Sequence, residues 1–182
     1  MVAPLRQDVL IRPETSADHD AIASVVAAAF QSQVLADLVV AIRGSPQYIA
    51  EFALVAERGG EVVGHVMVSV TGLCDDTCTH LILHLSPLAV APAHQGQGVG
   101  GALVRAVTSL ARLRGAPFVI LQGDPRYYSR FGFEASAQYD ITMQLPSWAP
   151  IEAAQILLLN GERPLQRGRV VHAPAFAAFP DD

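Results

Sequence analysis

The sequence predicts a single α/β domain with a mixed sheet. Stretches with strand-type alternation are interleaved with stretches of helical period along the chain. Two strand-like runs, Phe52–Glu57 and Val62–Val70, flank Arg58-Gly-Gly-Glu61, which reads as a hairpin turn and makes the runs neighbours. A third run, His80–Val90, leads into a glycine-rich turn and an amphipathic helix. Mixed strands and helices with hairpins between them give an α/β class with helices flanking the sheet.

In chain order, Val9–Pro13 reads as a first strand. Thr15 or Ser16 caps a helix whose first turn holds Asp18 and Asp20, with Ile22, Val25, Val26, Ala29 and Phe30 at helical spacing. A second helix covers Val34–Ile42 and stops at Gly44-Ser-Pro46. Gly72 to Thr79 is polar and turn-rich. Gly98 to Arg114 is an amphipathic helix with Val99, Leu103, Ala106, Val107, Leu110 and Leu113 on one face, closed by Gly115. Phe118–Gln122 reads as a buried strand, Pro125–Phe131 as a short helix and Tyr139–Leu145 as a strand. Beyond Pro146, Ile156–Leu159 and Arg169–His172 read as strands joined through Asn160-Gly161.

A chain of 182 residues suits one domain, taken as 1–182. No run approaches the roughly 18 apolar residues of a membrane span, and Met1–Asp8 has no basic region leading into an apolar one, so no secretory signal is expected. The two cysteines, Cys74 and Cys78, suggest reduced thiols and a cytoplasmic setting. The formal charge is −5 and no long basic block appears, which speaks against nucleic-acid binding. All twelve basic residues are arginine. Without lysine there is no Walker A loop and no Schiff-base chemistry.

The richest segment is Gln95-Gly96-Gln97-Gly98-Val99-Gly100-Gly101, at the junction of a strand and a helix. Small residues let a backbone approach phosphate, and the first helical turn offers N–H groups with no partner inside the helix. As a string it matches the dinucleotide fingerprint G-x-G-x-x-G, but it lies past the midpoint and behind a hairpin rather than in the first βαβ unit. Gln95-x-x-Gly98-x-Gly100 resembles the Q/R-x-x-G-x-G/A signature of the GNAT superfamily of N-acetyltransferases. Leu88-Ala-Val-Ala-Pro92 before it resembles that family's fourth strand, and Tyr128-Ser-Arg-Phe-Gly132-Phe133 after it resembles the family's Y-x-x-x-G-F segment. The resemblance is strongest over 81–133; the strands of 139–182 are less well marked. Within it, Gly123-Asp124-Pro-Arg-Tyr127-Tyr128-Ser-Arg-Phe-Gly-Phe133 is similar to a bacterial subgroup in which Gly-Asp-Pro replaces the more common asparagine.

The resemblance implies a mostly antiparallel sheet that splays after its fourth strand, with acetyl-CoA as acyl donor. Backbone groups of Leu88, Ala89 and Val90 would meet its pantetheine arm. The backbone from Gln95 through Gly96, Gln97, Gly98, Val99 and Gly100 to Gly101 would meet its pyrophosphate, with Asp124 nearby. Tyr128 would protonate the departing thiolate, which is chemically sound: a phenol near pKa 10 can donate to a thiolate whose acid form is near 8.5. A backbone N–H near Val90 would serve the oxyanion. Tyr127, next to Tyr128, is expected to pack. Transfer to a small-molecule or peptide amine would be direct, within a ternary complex and without a cysteine nucleophile.

The general base is less plain. No acidic residue occurs from Thr79 through Gln122. Alternation places His80, Ile82, His84 and Ser86 on one strand face and Leu81, Leu83 and Leu85 on the other. His84 is a candidate base, with Ser86 as relay, beside the alternative of a histidine satisfied within the sheet. No metal is expected from Cys74-x-x-x-Cys78-x-His80-x-x-x-His84, because His80 and His84 on one strand would stand ~13 Å apart. A non-catalytic acyl-CoA-binding or regulatory module stays open, as does a dinucleotide binder. The acceptor would be met by Phe30–Gly44, Gly72–Thr79 and the chain beyond Pro146. A monomer or homodimer is expected, with the apolar C-terminal run of 173–179 as a possible dimer edge.

Overall fold

Among the described residues a nine-stranded sheet runs in the order β1 (Val9–Pro13), β2 (Ala53–Arg58), β3 (Glu61–Cys74), β4 (Thr79–Val90), β5 (Phe118–Gln122), β8 (Ala154–Leu158) and β6 (Glu134–Ala135), with β9 (Gly168–Val171) paired to β3 and to β7 (Ile141–Thr142). The computed structural model describes residues 9–172 and 174–178. The Met1–Asp8 stretch read for a leader lies outside them, as do Ala173 and Phe179 of the C-terminal apolar run. β1 (Val9–Pro13), β2 (Ala53–Arg58), β3 (Glu61–Cys74) and β4 (Thr79–Val90) form an antiparallel meander. β5 (Phe118–Gln122) runs parallel to β4, and β8 (Ala154–Leu158) antiparallel to β5. The mixed, mostly antiparallel sheet agrees with the sequence reading. A doubly wound dinucleotide fold would need a run of parallel neighbours, and among the described strands only β4–β5 and β7–β9 pair in that sense.

Helices cover both faces. Ile22 and Val26 of α1 (His19–Phe30) and Val39 and Ile42 of α2 (Gln33–Arg43) bury against Ala53, Val55, Met67 and Ala89. On the opposite face Leu103, Val104 and Val107 of α3 (Val99–Leu113) pack on Val63, Val66, Leu85, Val119 and Leu121.

Polar side chains lock the first face. Asp18 forms a capping box with Thr15 and accepts from both Nη atoms of Arg12, at 2.7 and 2.8 Å. Arg12 Nε reaches Glu57 at 2.9 Å, so the start of α1 is tied to β1 and β2. Glu14, 2% exposed at its side chain, accepts from Arg43 Nε at 2.8 Å, Arg43 Nη2 at 3.0 Å and Tyr48 Oη at 2.8 Å. The fully buried His65 ring stands 3.7 Å from the same carboxylate. This cluster fixes the end of α2 against the sheet.

The C-terminal third departs from expectation. In place of a Tyr139–Leu145 strand there is a two-residue β7 (Ile141–Thr142), and β6 (Glu134–Ala135) is equally short. β8 and β9 (Gly168–Val171) do not form a hairpin through Asn160-Gly161; β8 lies between β5 and β6, and β9 lies beside β3. The reason is burial. Ala154 to Leu157 are all buried and need cover on both faces, which only an interior position supplies, whereas β9 buries only Val170. The turn-rich segment of 72–79 is also shorter than expected, since β3 extends to Cys74.

Candidate active site

β4 and β5 pair only at Leu83–Val119 and His84–Ile120, and β4 runs on to Val90 without β5. Opposite the single residue Met67, β4 carries two, Ser86 and Pro87: register passes from Leu85–Val68 to Leu88–Val66. This bulge turns the side-chain alternation over. Leu83 and Leu85 pack toward α3 before it, and Leu88 and Val90 pack there after it, while Ala89 joins the α1–α2 face. Ala91 N donates to Val63 O at 2.9 Å. Antiparallel ladders bond at alternate pairs, so the N–H and C=O groups of Val90 and Leu88 point away from β3 into the gap. Gln95 Nε2 donates to Val90 O at 3.0 Å, from that open side.

The loop after β4 ends at Gly98, whose φ of 86° starts α3 from a left-handed residue. A side chain there would cost about 1–2 kcal/mol. The first bond of the helix ladder is Ala102 N to Gly98 O at 3.0 Å. The N–H groups of Val99, Gly100 and Gly101 therefore have no acceptor inside the helix, and no side chain caps it. Both loop glutamines are structural. Gln95 holds Val90, while Gln97 accepts from Arg58 Nη1 at 2.7 Å and donates to Ala93 O at 3.0 Å. Ala89 and Gln97 stand outside the cleft lining; the other cradle residues except these line it.

Asp124 caps the short helix α4 (Pro125–Tyr128), accepting from Arg126 N at 2.9 Å and pairing with its guanidinium at 3.1 Å. Its carbonyl accepts from Tyr127 N and Tyr128 N, so Asp124 presents the two tyrosines and its carboxylate is engaged by the helix. The Tyr128 ring meets Phe133 edge-on at 5.6 Å and lies over Gly123, where a Cβ would overlap it. Burial, with Tyr127 alongside, pushes the Tyr128 phenol well above its usual range, so it carries its proton at any neutral pH. Tyr127 is more than packing. It lines the cleft, and a Cβ on Gly100 would stand 2.5 Å from its hydroxyl.

The cleft holds about 1310 Å³. On its far side His84, 3% exposed, meets the rings of His172 and Phe176, each at 5.2 Å between centroids. Burial, then His172, lowers the His84 pKa to about 3, so the imidazole is neutral. Ser86, Phe30, Leu35 and Leu38 also line the cleft, and Leu35 and Leu38 belong to the apolar cluster that includes Phe176. Asp124 is the only carboxylate among the lining residues. The Gly72–Thr79 segment expected at the acceptor side contributes none of the lining, whereas Arg169, His172 and Phe176 of the C-terminal segment do. No motif marks those three; the pairing of β9 with β3 brings in Arg169 and the adjoining His172, and packing on the α1–α2 face holds Phe176.

A family profile described as "Acetyltransferase (GNAT) domain" matches residues 50–135. The uncharacterized N-acetyltransferase YjhQ of Escherichia coli K12 is 35% identical over 120 residues, 66% of each chain. The uncharacterized N-acetyltransferase YhbS of the same strain is 30% identical over 138 residues, 76% of this chain and 81% of its own length. The crystal structure of E. coli YhbS in complex with CoA superposes with a TM-score of 0.82 at 29% identity, covering 98% of this chain and 97% of the other. A GNAT acetyltransferase from Brucella melitensis in complex with acetyl-CoA gives 0.75 at 31% identity, covering 94% and 99%. The fold is thus shared with these acetyltransferases over nearly the whole chain, and the chain belongs to the GNAT family of N-acetyltransferases.

Proposed function

We propose that this protein moves the acetyl group of acetyl-CoA directly to a primary amine, with Tyr128 as the acid. The observation that carries the reading is one of adjacency. The outward backbone groups of Leu88 and Val90 are joined by the 91–98 loop to the uncapped first turn of α3, and both line a single cleft, so amide partners and anion donors face one space. That donor set fits a pantetheine arm followed by a pyrophosphate. The CoA and acetyl-CoA complexes of the two relatives support the same choice.

Bound acetyl-CoA supplies an activated thioester. The chain does the rest. Leu88 and Val90 align the arm as an added strand, and a backbone N–H at Val90 faces the thioester oxygen where negative charge grows. The N–H groups of Val99, Gly100 and Gly101 hold the anion. The Tyr128 hydroxyl holds the proton for the departing thiolate sulfur. His84, kept neutral by burial, accepts a hydrogen bond from the attacking amine beside Ser86; with so low a pKa it orients the amine rather than storing its proton, which passes to solvent as the C–N bond forms and the C–S bond breaks, and solvent returns one proton to the Tyr128 oxygen. Both cysteines lie outside the cleft lining, which favours direct transfer over an acyl-enzyme.

The acceptor wall carries aromatic and aliphatic groups and the neutral His84 imidazole, with Arg169 also in the lining and, among the described residues, no carboxylate beyond the engaged Asp124. It suits a small-molecule or peptide amine with an apolar body and disfavours a polycation of the aminoglycoside type. The free thiols of Cys74 and Cys78 suit a reducing cytoplasm. Thiol release from acetyl-CoA across a panel of amines tests the reading. Intersecting initial-velocity lines are expected, and parallel lines overturn direct transfer. A second reading, an acyl-CoA-binding module, draws on the missing carboxylate base. It prevails if acetyl-CoA binds and no amine in the panel releases thiol.

A further inference from the structure

Three side chains of different chemistry converge at the tip of the β3–β4 hairpin, and none lines the cleft. His80 Nε2 stands 3.2 Å from Asp75 Oδ2 and 3.3 Å from Cys78 Sγ, and Sγ is 3.9 Å from the same Oδ2. The turn prepares the carboxylate. Asp75 Oδ1 accepts from Thr77 N at 2.7 Å, Cys78 N at 2.8 Å and Thr77 Oγ1 at 2.6 Å, which fixes the group and leaves Oδ2 facing the other two ligand atoms. Zinc bonds of about 2.0–2.3 Å in tetrahedral geometry place neighbouring ligand atoms roughly 3.3–3.7 Å apart. The three spacings fall on or close to those edges. A single imidazole N–H can bond well to only one of its two neighbours, whereas one ion satisfies all three.

We propose that Asp75, Cys78 and His80 bind a divalent transition metal of the zinc type, with a fourth position open to solvent. Thiolate and imidazole select this class over magnesium or calcium. The site does not need the His80–His84 pair, since His84 is buried in the cleft and the carboxylate of Asp75 takes the third place. A metal here would pin the hairpin next to β9, where Cys74 pairs with Arg169, two residues before Val171 and three before His172 of the cleft wall.

Cobalt(II) titration of the full chain, reduced and washed free of metal with chelator, tests the assignment. One equivalent should bind and produce a thiolate-to-cobalt charge-transfer band with the strong visible bands of four-coordinate cobalt, and zinc should displace it. Cys78→Ser should abolish the charge-transfer band. Asp75→Asn and His80→Ala should each weaken binding at least tenfold, and Cys74→Ser should leave it intact. Circular dichroism and acetyl-CoA affinity, unchanged in all four variants, show that each is folded. Absence of the band at stoichiometric cobalt, its persistence in Cys78→Ser, or its loss in Cys74→Ser would overturn the proposal.

Discussion

Arg58 Nη1 donates to Gln97 Oε1 at 2.7 Å and stands 3.2 Å from His94 Nδ1, so the end of β2 braces the loop whose backbone faces the cleft. Hydrogen bonds to a charged group contribute about 1.5–3 kcal/mol. Arg58→Ala should therefore raise KM for acetyl-CoA by about tenfold and leave kcat nearly unchanged, since 1.4 kcal/mol is about a factor of ten. Steady-state kinetics at saturating amine checks this. A fall in kcat at unchanged KM would show that the brace serves something other than cofactor binding.

Gly100 is small because Tyr127 is there. Gly100→Ala places a Cβ 2.5 Å from the tyrosine hydroxyl but 3.7 Å from its Cζ, an ordinary contact. The single substitution should lower Tm and weaken acetyl-CoA binding. Adding Tyr127→Phe should restore Tm, because alanine in a helix gains about 1 kcal/mol over glycine once the clash is gone. Thermal melts of both variants decide it.

Acid should weaken the fold in two windows. His65 and His84 are buried neutral, their pKa values lowered by desolvation from the ordinary 6.5 to about 4 and about 3. Below pH 6.5 the unfolded chain therefore binds protons that the native chain refuses, and stability declines as pH falls from 6.5 toward 4. Asp18 acts lower. The Arg12 guanidinium holds its carboxyl well below 3.8, so its contribution is present above that value and lost as pH drops through and beneath it. Urea midpoints between pH 7 and pH 4.5 should fall, and His65→Gln should flatten that slope.

Glu14→Ala would leave Arg43, 13% exposed, without its carboxylate partner. Breaking a buried pair from one side costs about 3–5 kcal/mol. The same change frees the end of α2, the helix that supplies Leu35 and Leu38 to the acceptor wall. Urea denaturation should show the loss, and KM for the amine should rise more than KM for acetyl-CoA.

Much of this was legible in the chain because it is local. The hairpin at Gly59-Gly60, the amphipathic period of α3 and the capping signal at Thr15–Asp18 are each set by a few neighbouring residues. The strand faces of His84 and Leu85 followed from alternation, but the reversal at Ser86–Pro87 did not. A bulge depends on the partner strand, and no local pattern announces that Met67 stands opposite two residues. The two C-terminal strands are legible to within two residues, but their partners are not, for the same reason: β8 and β9 choose neighbours by burial, not by the turn between them. The sequence places the chain beyond Pro146 at the acceptor side, as the lining has it, but nothing local singles out His172 and Phe176 within it. The glycine segment is legible as a turn leading into α3, yet the bracing by Gln95, Gln97 and Arg58 rests on side-chain contacts that no local pattern marks.

In the reaction proposed above, Tyr128 delivers a proton in this cleft without contributing to cofactor affinity. Measuring kcat and the acetyl-CoA Kd for Tyr128→Phe tests it most directly. kcat should fall by about 10²-fold, within the usual range for one acid–base group, while Kd stays within about twofold. Turnover equal to that of the unaltered chain would contradict it and leave Tyr128 a packing residue over Gly123.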